Sequence, residues 1–162
     1  MYSKMHYASP LGELTLVANE QAVTALVMAG QKYEQLHIPA GAKETETPVL
    51  LAACQWLDAY FAGARPNVNP LPLAPEGTAF RQRVWRALLA IPYGETRSYG
   101  ELAKAVGSSA RAVGSAVGHN PISIIIPCHR VLGSDGSLTG YAGGVERKRR
   151  LLLLEGAFPI TP

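Results

Sequence analysis

A chain of 162 residues, 48% hydrophobic and 17% charged, is a folded globular protein of one domain or two small ones, which excludes a disordered or fibrous chain. No apolar run reaches the roughly 18 residues of a membrane helix, and the N-terminus has no apolar signal core, so a cytoplasmic protein is expected. Residues 1–79 carry four Lys/Arg against seven Asp/Glu and residues 80–162 carry eleven against five, a balance that suits a phosphate-contacting second half as well as an uneven scatter of surface charge.

The first stretch, MHYASPLGELTLVANEQAVTALVM, breaks its apolar runs at Ser9-Pro10-Leu11-Gly12 and at Asn19-Glu20-Gln21 and predicts a short antiparallel meander. Residues 47–62 predict a helix with Thr47 as N-cap, Pro48 at its first position and Gly63 beyond its end. Leu50, Leu51, Trp56, Leu57, Tyr60 and Phe61 then form a face for the sheet, which makes Trp56 and Cys54 core residues rather than chemistry. Residues 63–78, rich in proline, read as a linker, so an N-terminal α/β domain over 1–78 is expected to precede a second domain over 79–162.

Beyond the linker, Phe80, Val84, Trp85, Leu88 and Ile91 recur at helical spacing, and Pro92-Tyr93-Gly94 stops that helix. Ser98 with Glu101 forms a capping box for a second helix, Gly107 closes it, and Ser108 or Ser109 opens a third. Two short helices on a tight turn make a helix-turn-helix candidate. The third helix, ARAVGSAVGHN, presents Ala110, Ala112, Gly114 and Ser115 around a single long cation, Arg111. Each interior glycine costs about 1 kcal/mol relative to alanine. Two readings compensate for that: close packing on another helix, or close approach to a minor groove only about 6 Å wide.

The β-branched run ISIIIP predicts a buried strand ending at Pro127, with Cys128 at its terminus. A free thiol has a pKa of about 8.5 and needs a base or a positive field to become a nucleophile. His129 is adjacent, but neighbours in extended chain point apart, so contact requires a turn or a linking water. The downstream carboxylates that could orient the histidine are Asp135, Glu146 and Glu155. Taken alone, Cys128 is as readily an inert core thiol. With only Cys54 besides, and His6, His37 and His119 scattered, two reduced thiols and no structural zinc site are expected. A glycine-rich loop surrounds Tyr141, and a helix over 145–155 follows, with Arg147, Lys148, Arg149 and Arg150 around its first turns.

IPCHRV, preceded by ARAVGSAVGHNPISII and followed by LTGYAGGVERKRRLLLLEG, resembles the O6-alkylguanine-DNA alkyltransferase family. GTAFRQRVWRALLAIPYGETRSYGELA extends the resemblance over residues 77–156, and SPLGELTLVA and YFAG carry it more loosely into the N-terminal half. The resemblance implies an RNase H-like sheet with a helix in the first unit. It implies a mainly α, winged-helix-like second domain with a helix-turn-helix. The implied activity is direct DNA repair: irreversible, once-only transfer of an alkyl group from O6 of guanine, and from O4 of thymine, to Cys128. His129 would be the water-linked base, Glu155 its orienting carboxylate, Asn120 the brace of the active-site turn and Tyr99 the proton donor to guanine N3.

The same resemblance assigns DNA contact to Arg111, Ala110, Ala112, Gly114, Ser115 and Arg130, with Arg111 replacing a nucleotide flipped out of the helix. It places Val131 near the rim of the alkyl pocket and Tyr141, Ala142 and Gly143 in its lining. The small Ala142 is expected to admit alkyl groups bulkier than methyl. No metal or diffusible cofactor is implied. The implied partner is double-stranded DNA containing O6-alkylguanine; the chain would be a monomer in solution, with cooperative assembly on DNA left open. The rival readings are a cysteine hydrolase and a helix-turn-helix regulator without catalysis.

Overall fold

The computed structural model describes residues 1–157. Contacts gather them into two units, Met1–Glu76 with Pro121–Ile125, and Gly77–Asn120 with the chain from Ile126 onward. Beyond the expected division near residue 79, the short segment Pro121–Ile125 groups by its contacts with the N-terminal unit.

In that unit, β1 (Ser3–Ser9), β2 (Gly12–Ala18) and β3 (Val23–Met28) form the antiparallel meander. The β1–β2 turn closes where Gly12 adopts a φ of 103°, a conformation that favours glycine. After α1 (Glu34–His37), the two-residue β4 (Lys43–Glu44) pairs parallel to β1, giving the order β3-β2-β1-β4. Helix α2 (Pro48–Phe61) begins as expected: the Thr47 side chain accepts from Leu50 N, and Pro48 occupies the first turn. It buries Leu50, Ala53, Leu57 and Tyr60. The buried face is narrower than the sequence suggested, since Leu51 is 40% exposed. Trp56 is half-buried, stacking on Tyr60 and donating from Nε1 to the Asn67 carbonyl.

The expected strand through ISIIIP does not form. Leu26 N donates to Pro121 O and Ser123 N donates to Leu26 O, so only Ile122 bridges to β3. The chain then folds into a tight turn closed by Ile125 N on Ser123 O at 2.8 Å, with Ile124 at a φ of 71°. Ile122, Ile124, Ile125 and Ile126 are all buried. A short apolar run specifies burial without specifying strand, and here a turn buries every side chain of the run.

The second unit opens with α3 (Ala79–Leu89), capped by Thr78 and burying Val84, Trp85 and Leu88. Strand β5 (Arg97–Ser98) leads into α4 (Tyr99–Val106), whose capping box pairs Ser98 with Glu101 and whose end is Gly107 at a φ of 72°. Ser109 caps α5 (Ala110–Gly118), completing the helix-turn-helix. The Trp85 indole donates to Ala116 O at 2.8 Å and fastens α5 to α3. A Cβ on Gly77 would lie 2.4 Å from that indole, so glycine is required for its seat. Strand β6 (Val131–Leu132) pairs parallel to β5, and α6 (Val145–Leu154) completes the unit. Among the described residues no helix is long and apolar enough to cross a membrane.

Candidate active site

Pro127, at φ −82° and ψ 66°, makes a second tight turn, closed by Cys128 N on Ile126 O at 2.8 Å. Cys128–Arg130 then forms a single 3₁₀ turn, with Arg130 N on Pro127 O. The chain thus turns after Pro127, as contact between Cys128 and its neighbours requires. Asn120 donates from Nδ2 to Ile126 O at 2.8 Å and closes the loop over Pro121–Ile125.

Cys128 is only 5% exposed, and burial pushes its thiol pKa up. Hydrogen bonding from Asn120, the Lys148 ammonium, its own backbone amide and the neighbouring Tyr141 hydroxyl, which stands close by without meeting hydrogen-bond geometry, oppose that rise without cancelling it. The resting thiol therefore holds its proton, and attack requires a base.

His129 and Glu155 are both buried, with His129 Nε2 2.7 Å from Glu155 Oε2. Burial pushes the Glu155 carboxyl up, but hydrogen bonds and charge from His129 and Arg130 outweigh it and leave the pKa at about 2. An ionised carboxylate only accepts, so the neutral imidazole carries its proton on Nε2 and presents Nδ1 as a lone pair. His129 Nδ1 is buried and makes no hydrogen bond among the described residues. Burial also lowers the His129 pKa, against the pull of Glu155, so the ring rests neutral. A buried thiol followed directly by an uncharged imidazole with a basic nitrogen is a latent nucleophile.

Two phenols stand beside the thiol. Burial raises the Tyr99 pKa, so its hydroxyl keeps its proton, and that hydroxyl donates to Gly140 O at 3.5 Å. The Tyr141 hydroxyl is buried beside Cys128 without meeting hydrogen-bond geometry, and burial pushes its pKa well up. Ala142 and Gly143 follow it, half-buried, in the loop before α6. On α5, Arg111, Ala110 and Ser115 are exposed, while Ala112 and Gly114 are half-buried. A Cβ on Gly114 would lie 3.9 Å from the Tyr99 ring.

Two expectations are corrected. Arg130, expected at the DNA, is 9% exposed and has its guanidinium engaged within the protein: it donates to Glu155 Oε1 at 2.7 Å, Glu155 Oε2 at 3.1 Å and Ile91 O at 2.7 Å. Val131 is fully buried in β6 rather than at a pocket rim. One participant escaped the sequence reading. Lys148, grouped there with three arginines as a basic run, is fully buried, donates to Thr139 O at 2.9 Å and has its pKa lowered by burial to about 8. Its spacing with Leu151, Leu152 and Glu155, all buried, was the available signal.

A buried thiol next in the chain to a neutral imidazole bonded to a buried carboxylate, in a unit that carries a helix-turn-helix, marks out the class to which this protein belongs. The chain belongs to the 6-O-methylguanine DNA methyltransferase family: residues 2–75 match its ribonuclease-like domain and residues 79–157 its DNA binding domain. A methylated-DNA–protein-cysteine methyltransferase of Mycobacterium tuberculosis is 52% identical over 157 residues, covering 93% of this chain and 92% of the relative. One from Methanosarcina acetivorans is 46% identical over 159 residues, covering 94% and 99%. The crystal structure of Mycobacterium tuberculosis OGT in complex with DNA superimposes with a TM-score of 0.83 at 47% identity, covering 96% of this chain and 92% of that one.

Proposed function

We propose that this chain repairs DNA directly, moving the alkyl group from O6 of guanine, or O4 of thymine, onto Cys128 once per molecule. The observation that carries the reading is the buried set Cys128, His129 and Glu155, in which the His129 proton sits on Nε2 and Nδ1 is left as base. The relatives' name, methylated-DNA–protein-cysteine methyltransferase, supports the same chemistry.

His129 Nδ1 takes the thiol proton through a water, and Glu155 stabilises the imidazolium. The sulfur attacks the alkyl carbon in line, forming the S–C bond as the C–O6 bond breaks. The bonding pair passes into the guanine, which leaves as a neutral base once Tyr99 delivers its proton to N3; the imidazolium proton restores the phenol. Lys148 favours the thiolate, and Asn120 holds the turn. Tyr141, Ala142 and Gly143 line the alkyl pocket, and the small Ala142 leaves room for groups larger than methyl. The thioether product is not hydrolysed, so the protein is spent.

A thiol this deeply buried cannot meet a carbon inside stacked DNA, so the nucleotide must be extruded. Helix α5, slim at Ala110, Ala112, Gly114 and Ser115, enters the minor groove, and Arg111 fills the space of the flipped base. The solved complex of Mycobacterium tuberculosis OGT with DNA supports DNA as the partner. The chain acts as a monomer in the cytoplasm, on the nucleoid when bound to DNA.

Incubation with methyl-labelled O6-methylguanine duplex, followed by peptide mass mapping, tests the reading. One equivalent of label on Cys128, abolished by Cys128→Ser, is the expected result. Transfer continuing past one equivalent, or surviving Cys128→Ser, would sink it.

A further inference from the structure

We propose that Arg130 is a positioning residue that balances the charge of Glu155 so that His129 stays an uncharged base, and that Tyr93 is its cover. The functional meaning rests on the reading above; the geometry does not.

Glu155 is fully buried, and its one negative charge meets both His129 and Arg130. Oε2 accepts from both His129 Nε2 and Arg130 Nη2, and Oε1 accepts from Arg130 Nε. The third arm of the guanidinium, Nη1, is fixed on Ile91 O, just before the Pro92-Tyr93-Gly94 turn. The Tyr93 ring lies 5.6 Å from the guanidinium carbon, and its hydroxyl donates to Leu154 O at 3.4 Å, so the phenol spans from the arginine to the end of α6. The charged groups that act on His129 are Glu155, Arg130 and Lys148, and the Cys128 thiol precedes it in the chain.

A buried carboxylate left alone with a histidine draws a proton into the pair, because an unbalanced interior charge is costly. The pair would then be protonated before the thiol gives anything up, and Nδ1 would have nothing to accept with. Arg130 removes that demand: carboxylate and guanidinium cancel, and the histidine has no charge to answer. When the Cys128 proton does arrive, the imidazolium still hydrogen-bonds to Oε2. A lysine retains the charge but not the two-pronged grip, so charge and placement are separable.

The test compares wild type with Arg130→Gln, Arg130→Lys and Tyr93→Leu. Single-turnover transfer is followed from pH 5 to 9, the His129 imidazole is titrated by NMR, and affinity for undamaged duplex is measured against salt. For Arg130→Gln, the acid limb of the rate profile and the His129 titration should both move up by about one pH unit or more. Its DNA affinity should stay within about twofold with an unchanged salt slope. Arg130→Lys should leave the acid limb in place while slowing transfer about tenfold. Tyr93→Leu, which keeps the arginine and opens it to water, should shift the limb upward by less; it carries the test if Arg130→Gln does not fold. An unmoved His129 titration in both Arg130→Gln and Tyr93→Leu would overturn the proposal. So would a salt slope reduced by about one, the mark of a lost phosphate contact. Absence of methyl transfer in wild type would instead count against the proposed repair reaction, with the His129 titration still deciding the role of Arg130.

Discussion

Asn120 reaches across the active-site turn and donates to the carbonyl of Ile126, a residue with no exposed surface. Removing the amide takes one of the two hydrogen bonds from that buried carbonyl, the other coming from Cys128 N, at a cost of about 0.5–1.5 kcal/mol. It also removes a hydrogen bond that favours the Cys128 thiolate. Asn120→Ala is therefore expected to lose stability in urea melts and to slow transfer at least tenfold, with affinity for undamaged DNA within about twofold. A wild-type transfer rate would show that the two tight turns hold the cysteine unaided.

Ile124 is a buried β-branched residue at a φ of 71°, where a left-handed backbone costs about 1–3 kcal/mol. Glycine pays nothing for that conformation, whereas alanine, like isoleucine, does. In ordinary backbone, glycine is worse than alanine by roughly 0.5–1 kcal/mol. Here the order should reverse, with Ile124→Gly no less stable than Ile124→Ala although both lose the buried side chain. Denaturation midpoints of the two variants decide it, and a clear advantage for alanine would remove the strain argument.

Acid should weaken the fold in two stages. The His129 pKa is lowered by burial from 6.5, so between these values the unfolded chain binds a proton that the folded chain refuses. Stability present above pH 6.5 is then lost as pH falls, by up to about 1.4 kcal/mol per pH unit for one proton. Glu155, depressed from 4.5 to about 2, adds a second loss as pH falls from 4.5 toward 2. Urea melts between pH 7.5 and 3 should show the decline, and His129→Gln should flatten its upper part. A stability that stays level from pH 7 to 5 would mean that His129 charges freely in the folded state.

The sequence disclosed those features that local chemistry dictates. Thr47, Ser98 and Ser109 cap helices where a hydroxyl precedes an apolar period, and Gly107 ends one where a left-handed residue is needed. The candidate site stood out in the sequence wherever a residue type has few other uses, as with Cys128, His129 and Asn120 in one short stretch. What stayed hidden depended on contacts far along the chain. The isoleucine run specified burial but not the turn that achieves it. Arg130 looked like a surface cation because Glu155, its partner 25 residues away, becomes adjacent only when α6 packs against the 3₁₀ turn. Lys148 sat among arginines that are exposed or half-buried, and only its helical phase with Leu151, Leu152 and Glu155 marked it as different.

That phase leads to the sharpest separation of stability from activity in the molecule. Lys148 is held in the interior with a pKa of about 8 instead of 10.5, so at pH 7 the folded protein bears a buried ammonium that is costly to desolvate. Its acceptor, the Thr139 carbonyl, belongs to an exposed residue that water can satisfy instead. Lys148→Met keeps the length and discards the charge, so the variant should be more stable at pH 7, by about 1 kcal/mol or more. The advantage should shrink between pH 8 and 10.5, where the wild type regains stability because its folded form has already shed the proton that the unfolded form still holds. Transfer should slow at the same time, at least several-fold at pH 7, because the ammonium that favours the Cys128 thiolate is gone. Urea melts at pH 7 and 10, set beside single-turnover rates, give both quantities. A variant that is less stable at both pH values would mean that the lysine is there for packing, and one that transfers at the wild-type rate would remove it from the chemistry.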